Sequence, residues 1–270
     1  MNTFIIQLFW NALRKFWRDG GTHLAAGIAY YTVLSVFPFT LGLLAVLGYY
    51  LPSVQLQEEM LSVLKDALPV SPSLIERNVS NIIQFRHALG LVSIAVLLWT
   101  IIGVFSALNR SINQAWNVQR DRNYLVRKLR DLLMAFATGV LLILSMEANA
   151  LFPILRNLKI VEASSIVAFG GKLLSMLMIA IAFILIYRFV PNKRIRWKYV
   201  WPGLLFGVIF FEIARSLFVL YLANFANYEM IYGSIASFIV FLVWIYYSAI
   251  ILILGAELNS EYARMSGRMV

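Results

Sequence analysis

Apolar residues in this chain run in long stretches rather than in the short alternating or three-four stripes of a soluble fold. Leu24 to Leu51 and Ala88 to Leu108 contain no charged residue. Leu132 to Leu155 holds only Glu147, and Ile166 to Val190 has Lys172 within it. Trp201 to Leu222 carries Glu212 and Arg215, and Ile231 to Ala256 is again uncharged. A helix needs about 20 apolar residues to cross a bilayer. The pattern therefore predicts an all-α integral membrane protein with six transmembrane helices over about 24–51, 88–108, 132–155, 166–190, 201–222 and 231–256.

Two weaker patterns flank the first span. Phe4, Ile5, Leu8, Phe9, Leu13, Phe16 and Trp17 recur at helical spacing, with Arg14, Lys15 and Arg18 toward the end. That arrangement predicts an N-terminal amphipathic helix within 1–22 lying in the membrane interface; a helix packed on its own bundle is the alternative. Between the first two spans, Leu56, Met60, Leu61, Val63, Leu64 and Leu68 form one helical stripe, and Leu74, Ile75, Val79, Ile82 and Ile83 form another. Pro69 and Pro72 separate them, and Ser73 with Glu76 makes the reciprocal cap of a helix start. An external helical hairpin over 52–87 follows, so 23–262 forms one six-span domain ahead of a short tail, 263–270.

Composition sharpens this class. The chain is 61% hydrophobic and 13% charged, against roughly 45–50% and 25% in soluble domains. The absence of cysteine excludes thiolate catalysis, iron–sulfur clusters and cysteine-bound zinc. The net charge of +10 suggests a nucleic-acid partner until its distribution is read. Sixteen Lys and Arg fall on the N-terminal segment, the second-to-third and fourth-to-fifth connections and the C-terminus, against five on the opposite side. This positive-inside bias places both termini in the cytoplasm. The bias already accounts for the basic loops, so the expected partners are membrane lipids and not nucleic acid. The sequence leaves a homo-oligomer open.

Four motifs then bear a resemblance. They are AAGIAYYTVLSVFPF (Ala25 to Phe39), RFVPN (Arg188 to Asn192), WPG (Trp201 to Gly203) and YGSIASFIVFLVWIYYSAIILILGAELN (Tyr232 to Asn259). In this order and spacing, from about Thr22 to Glu261, the chain resembles the YihY/virulence factor BrkB family of bacterial inner-membrane proteins. The resemblance implies a six-helix inner-membrane protein. The family has carried the label "ribonuclease BN", generally regarded as a misassignment. Proposals for its role lean toward transport or export of a lipid or other envelope component. It supplies no agreed catalytic residues.

The residues themselves give no enzymatic constellation. Metal-dependent hydrolysis needs carboxylates or histidines converging on an ion. His23 and His87 fall on opposite sides of the membrane, and Asp19, Asp121, Asp131, Glu257 and Glu261 are scattered among arginines. Glycine-rich phosphate loops and a serine elbow are absent. No cofactor, metal or catalytic residue is expected, and ribonuclease activity is not.

Polar groups at membrane depth are the remaining candidates, since charge there is costly and normally faces a cavity or a partner. At about 1.5 Å per residue, Glu147, Glu212 and Arg215 lie about 22, 17 and 21 Å from the cytoplasmic ends of their spans, and Lys172 about 9 Å below the outer end of its own. The four are expected to form a charge-balanced interior cluster, either a substrate or proton site or structural glue. A second candidate is the polar side formed by Tyr30, Tyr31, Thr32 and Ser35 just before Pro38, which should bend or unwind the first span near Leu34 to Pro38. A third is the stripe Ser106, Asn109, Arg110 and Asn113, either an ion or headgroup port or a solvated helix end. Gly203 and Gly207 make a Gly-x-x-x-Gly that reads as a helix contact. Trp244, Tyr246 and Tyr247 read as packing or lipid-facing aromatics. The leading expectation is a transporter or flippase-like exporter of a lipid or amphipathic envelope component, driven without ATP. The competing class is a non-catalytic membrane scaffold or assembly factor.

Overall fold

The computed structural model describes residues 2–50, 86–118, 164–224 and 234–267, with part of 129–141. Among these residues every regular element is a helix and no strand occurs.

Helix α1 spans Asn2–Arg18. It stops at Gly20, whose φ of +68° is a left-handed conformation that glycine adopts without strain. The chain turns there directly into α2, Gly21–Tyr50, with the Leu24 amide donating back to the Gly20 carbonyl at 3.1 Å. Of the two readings of α1, packing on the bundle is the one seen directly. Leu8 and Ala12 are buried against Leu258 and Phe206, so the helix packs on the bundle. Its other side exposes Ile5, Ile6, Trp10 and Trp17, the apolar face that contact with lipid requires.

Helix α3, Arg86–Ala115, runs antiparallel to α2, and Ala25 and Ile28 meet Phe105, Leu108 and Ile112 in the main core. It ends in a paired turn. The Val118 amide donates to the Asn113 carbonyl at 2.9 Å and the Asn117 amide to that of Gln114 at 3.0 Å, with Asn117 left-handed at φ 51°. Helix α4 spans Ser164–Phe189, a 3-10 turn covers Trp197–Tyr199, α5 is Trp201–Asn224 and α6 is Ser234–Met265. Helix α6 runs through the middle and touches α1, α2, α3 and α5.

Among the described residues, three helical segments are long and apolar enough to cross a membrane: Gly170–Phe189, Trp201–Tyr221 and Phe238–Met265. The first two match the expected fourth and fifth spans, and the third overlaps the expected sixth but runs on to Met265, nine residues past its expected end. Helices α2 and α3 contain the expected first and second; at 30 residues each they are about 45 Å long. Of the third span, residues 132–134 and 136–141 are helical, and the remainder, with Glu147, lies outside the described residues, as does nearly all of the hairpin.

Of the bend or unwinding expected near Leu34 to Pro38, the unwinding does not occur: helix α2 runs as one helix through Pro38. The hydroxyls before the proline turn back onto their own helix: Thr32 donates to the Ile28 carbonyl at 2.8 Å and Ser35 to the Thr32 carbonyl at 2.6 Å. The polar side of this segment is thereby used locally, and Pro38 itself is buried.

Candidate functional site

The N-terminal half of α4 and the C-terminal half of α5 border a groove of about 590 Å³ lined by Lys172, Ser175, Glu212, Arg215 and Ser216. Lys172 and Ser175 stand three apart on α4, and Glu212 and Arg215 three apart on α5, so each pair shares a helix face. Arg215 donates to the Ser175 hydroxyl at 2.8 Å and lies 3.7 Å from the Glu212 carboxylate. That second separation is an ion pair without hydrogen-bond contact. The Glu212 Oε1 is buried yet accepts no hydrogen bond among the described residues. Lys172 is exposed at the rim and makes no ion pair among them either. Three of the four charges expected to converge thus share one cavity, on two neighbouring helices. On α5, Val219 and Leu220 of the same groove are exposed, and so is the adjoining Leu217. Chemically, the groove combines an arginine fork, a lysine, a hydroxyl and a carboxylate with spare acceptor capacity beside apolar surface.

The stripe on α3 divides. Asn109 and Asn113 are buried and do not line a port. Asn109 donates to the Val190 carbonyl at 3.0 Å, Asn113 donates to the Asn109 side chain at 2.5 Å, and the Asn113 side-chain oxygen accepts the Asn192 amide at 2.8 Å. Their role is to pin the RFVPN turn, whose backbone Pro191 deprives of one donor. Arg110, next in sequence to Asn109, turns the other way and is exposed. It lines a second groove, between α2 and α3, together with Tyr31. Tyr30 does not join it. Its ring faces outward, edge-on to Tyr31 at 5.4 Å.

The glycine pair also divides. A Cβ on Gly203 would overlap the Gly255 carbonyl and meet the Asn259 amide nitrogen at 2.6 Å, so α5 and α6 touch backbone to backbone there. A Cβ on Gly207 would instead meet the Phe183 ring of α4 at 3.0 Å. The Asn259 side chain accepts the Gly203 amide at 2.7 Å, satisfying one of the free donors at the start of α5. WPG and the Asn259 end of the last motif are therefore two halves of one contact. Trp244 packs, stacked on Phe218 at 4.6 Å, whereas Tyr247 is exposed.

The most buried charges were not among the expected ones. Lys15 reaches from α1 to the Glu257 carboxylate of α6 at 2.6 Å, to the Ala115 carbonyl at the end of α3 at 2.6 Å and to Asp19 at 3.0 Å. All three donors of the ammonium are satisfied. One signal was available in the sequence: Lys15 falls on the Leu8–Ala12–Phe16 stripe of α1, with Asp19 four residues on. Glu257 carried none, because its partner lies 242 residues away. Among the described residues no group of three or more His, Asp or Glu is placed to hold a metal ion.

Residues 12–269 match the family model described as Virulence factor BrkB. A Bacillus subtilis (strain 168) protein named as ribonuclease-like, YfkH, is 30% identical over 253 residues, covering 89% of each chain. A UPF0761 membrane protein of Pseudoalteromonas atlantica is 26% identical over 90% of this chain and 81% of its own. Another, from Chromohalobacter salexigens, is 29% identical over 95% of this chain and 63% of its own. No solved structure matches.

Proposed function

The chain belongs to the virulence factor BrkB family of membrane proteins, and from that premise we propose that it is a flippase-like exporter moving a lipid or amphipathic envelope component between leaflets. The observation that carries this reading is the α4–α5 groove. An acidic side chain at membrane depth with a buried oxygen that accepts no hydrogen bond among the described residues is costly, and such groups are normally retained for a substrate or ion path. Arg215, Lys172 and Glu212 offer complementary contacts to a phosphate- or amine-bearing headgroup, while Leu217, Val219 and Leu220 meet its chains.

The test is reconstitution in liposomes with fluorescent phospholipids, following loss of outer-leaflet signal after an impermeant quencher. Protein-dependent translocation should fall at least tenfold in a combined Glu212→Gln, Arg215→Gln variant, the effect of about 1.4 kcal/mol or more on the barrier. Equal rates with and without these charges would remove the reading. A protein that moves no lipid at all would return it to the scaffold class, which the tightly tied α1–α3–α6 contact also suits.

The orientation belongs to the same proposal: a bacterial cytoplasmic membrane with both termini inside. Cysteines introduced singly at Ser71 and Arg122 should react with an impermeant thiol reagent in intact cells only at Ser71. Labelling at Arg122 alone would reverse the topology.

A further inference from the structure

Between α2 and α3 lies a groove of about 480 Å³, on helices separate from the α4–α5 site. Its polarity is graded along the helix axes. His23 and Arg110 stand at the end near the α1–α2 corner, and Tyr31, Ile102 and Trp99 line it further in. Trp99 is 11 positions before Arg110 in the chain, about 16 Å along the helix, which is headgroup depth to mid-leaflet or beyond.

Three observations show that this space is not a packing remnant. Arg110 is exposed and makes no ion pair or hydrogen bond among the described residues, although both asparagines beside it are fully engaged. The lining contains no carboxylate, and the nearby Asp19 is already held by Lys15 and Arg18. A Cβ built on Gly27 meets nothing within 4 Å, whereas four residues further on the Tyr31 ring lies hard against Gly103. Gly27 therefore faces the open groove, which the Tyr31–Gly103 contact narrows further along the pair.

We propose that the α2–α3 groove binds an anionic phospholipid, with its phosphate on Arg110 beside His23 and an acyl chain along Ile102 and Trp99. An arginine fork matches phosphate oxygens in paired hydrogen bonds. An uncompensated cation above an apolar slot selects an amphiphile with a negative head. The exposure of Leu98 and Trp99 continues the apolar surface beyond the slot. Binding here does not depend on whether the protein moves lipid.

The test uses the full chain in detergent and measures retention of phosphatidylglycerol against phosphatidylcholine by native mass spectrometry. Phosphatidylglycerol should be retained preferentially. Arg110→Gln should weaken that retention about tenfold, as expected for loss of a hydrogen bond to a charged group, with the melting temperature unchanged because the side chain holds nothing else among the described residues. Gly27→Leu, which fills the slot and keeps the charge, should weaken both lipids. Arg14→Gln on exposed α1 should change neither. Loss of preference in Arg14→Gln equal to that in Arg110→Gln would reduce the effect to net charge and overturn the proposal. So would unchanged retention in Arg110→Gln. Displacement of the lipid by inorganic phosphate alone would mark a soluble-anion site and overturn the lipid assignment, whereas resistance to it supports the acyl-chain contact. Because the readout is binding, failure here leaves the translocation test on Glu212 and Arg215 intact, and the reverse holds.

Discussion

At the α1–α6 contact, Lys15 and Glu257 are 5% and 1% exposed and 2.6 Å apart; in the α4–α5 groove, Arg215 and Glu212 are 28% and 20% exposed and 3.7 Å apart. Both clusters combine basic and acidic side chains at the edge of an apolar bundle, and their hydrogen bonding separates them. The first is closed. Lys15 spends its three donors on a carboxylate from α6, a carbonyl from α3 and Asp19 in the turn just past its own helix, so three helices are tied through one cation. The second is open. Arg215 is anchored to Ser175, but Glu212 retains an acceptor and Lys172 a charge with no protein partner among the described residues. A closed cluster fixes helix positions. An open one has capacity left for something that arrives.

Breaking the closed cluster should give the largest effect. Lys15→Met or Glu257→Gln alone leaves a buried group without its partner and should cost about 3–5 kcal/mol, read as a lower unfolding temperature and lower yield of folded protein. Replacing both, Lys15→Met with Glu257→Leu, removes the uncompensated charge and should cost less than either single change. A double variant as unstable as the sum of the singles would mean that the Ala115 carbonyl and Asp19 contacts dominate instead. The smallest effect on stability belongs to the open cluster. Glu212→Gln should shift unfolding by less than about 1 kcal/mol, since the ion pair is long and partly screened, while translocation falls. If Glu212→Gln destabilises as much as Glu257→Gln, the two clusters are of one kind and the groove is structural.

The groove residues were legible in the sequence because membrane depth makes any charge conspicuous: Lys172, Glu212 and Arg215 stand alone in apolar runs. Helical spacing then placed Glu212 and Arg215 on one face. The α3 stripe shows where such reading stops. Ser106, Asn109, Arg110 and Asn113 share a spacing, yet successive residues on a helix point about 100° apart. Asn109 and Arg110 therefore serve a turn on one side and a groove on the other. Pro38 did not unwind its helix, and for a different reason: one missing donor costs a single hydrogen bond, and a helix in a membrane tolerates such a local loss.

By itself, the sequence determined what hydrocarbon dictates: long apolar helices, the depth of each charge along its helix, and the basic bias from which an orientation is inferred. These depend on local composition, because every backbone polar group in lipid must be satisfied within its own helix. Only the tertiary structure decided which charges meet. Lys15 and Glu257 are 242 residues apart, and Gly203 reaches Asn259 across 56. Such pairs arise where α6 crosses α1 and α5, and a crossing is fixed by the packing of both helices rather than by the periodicity of either.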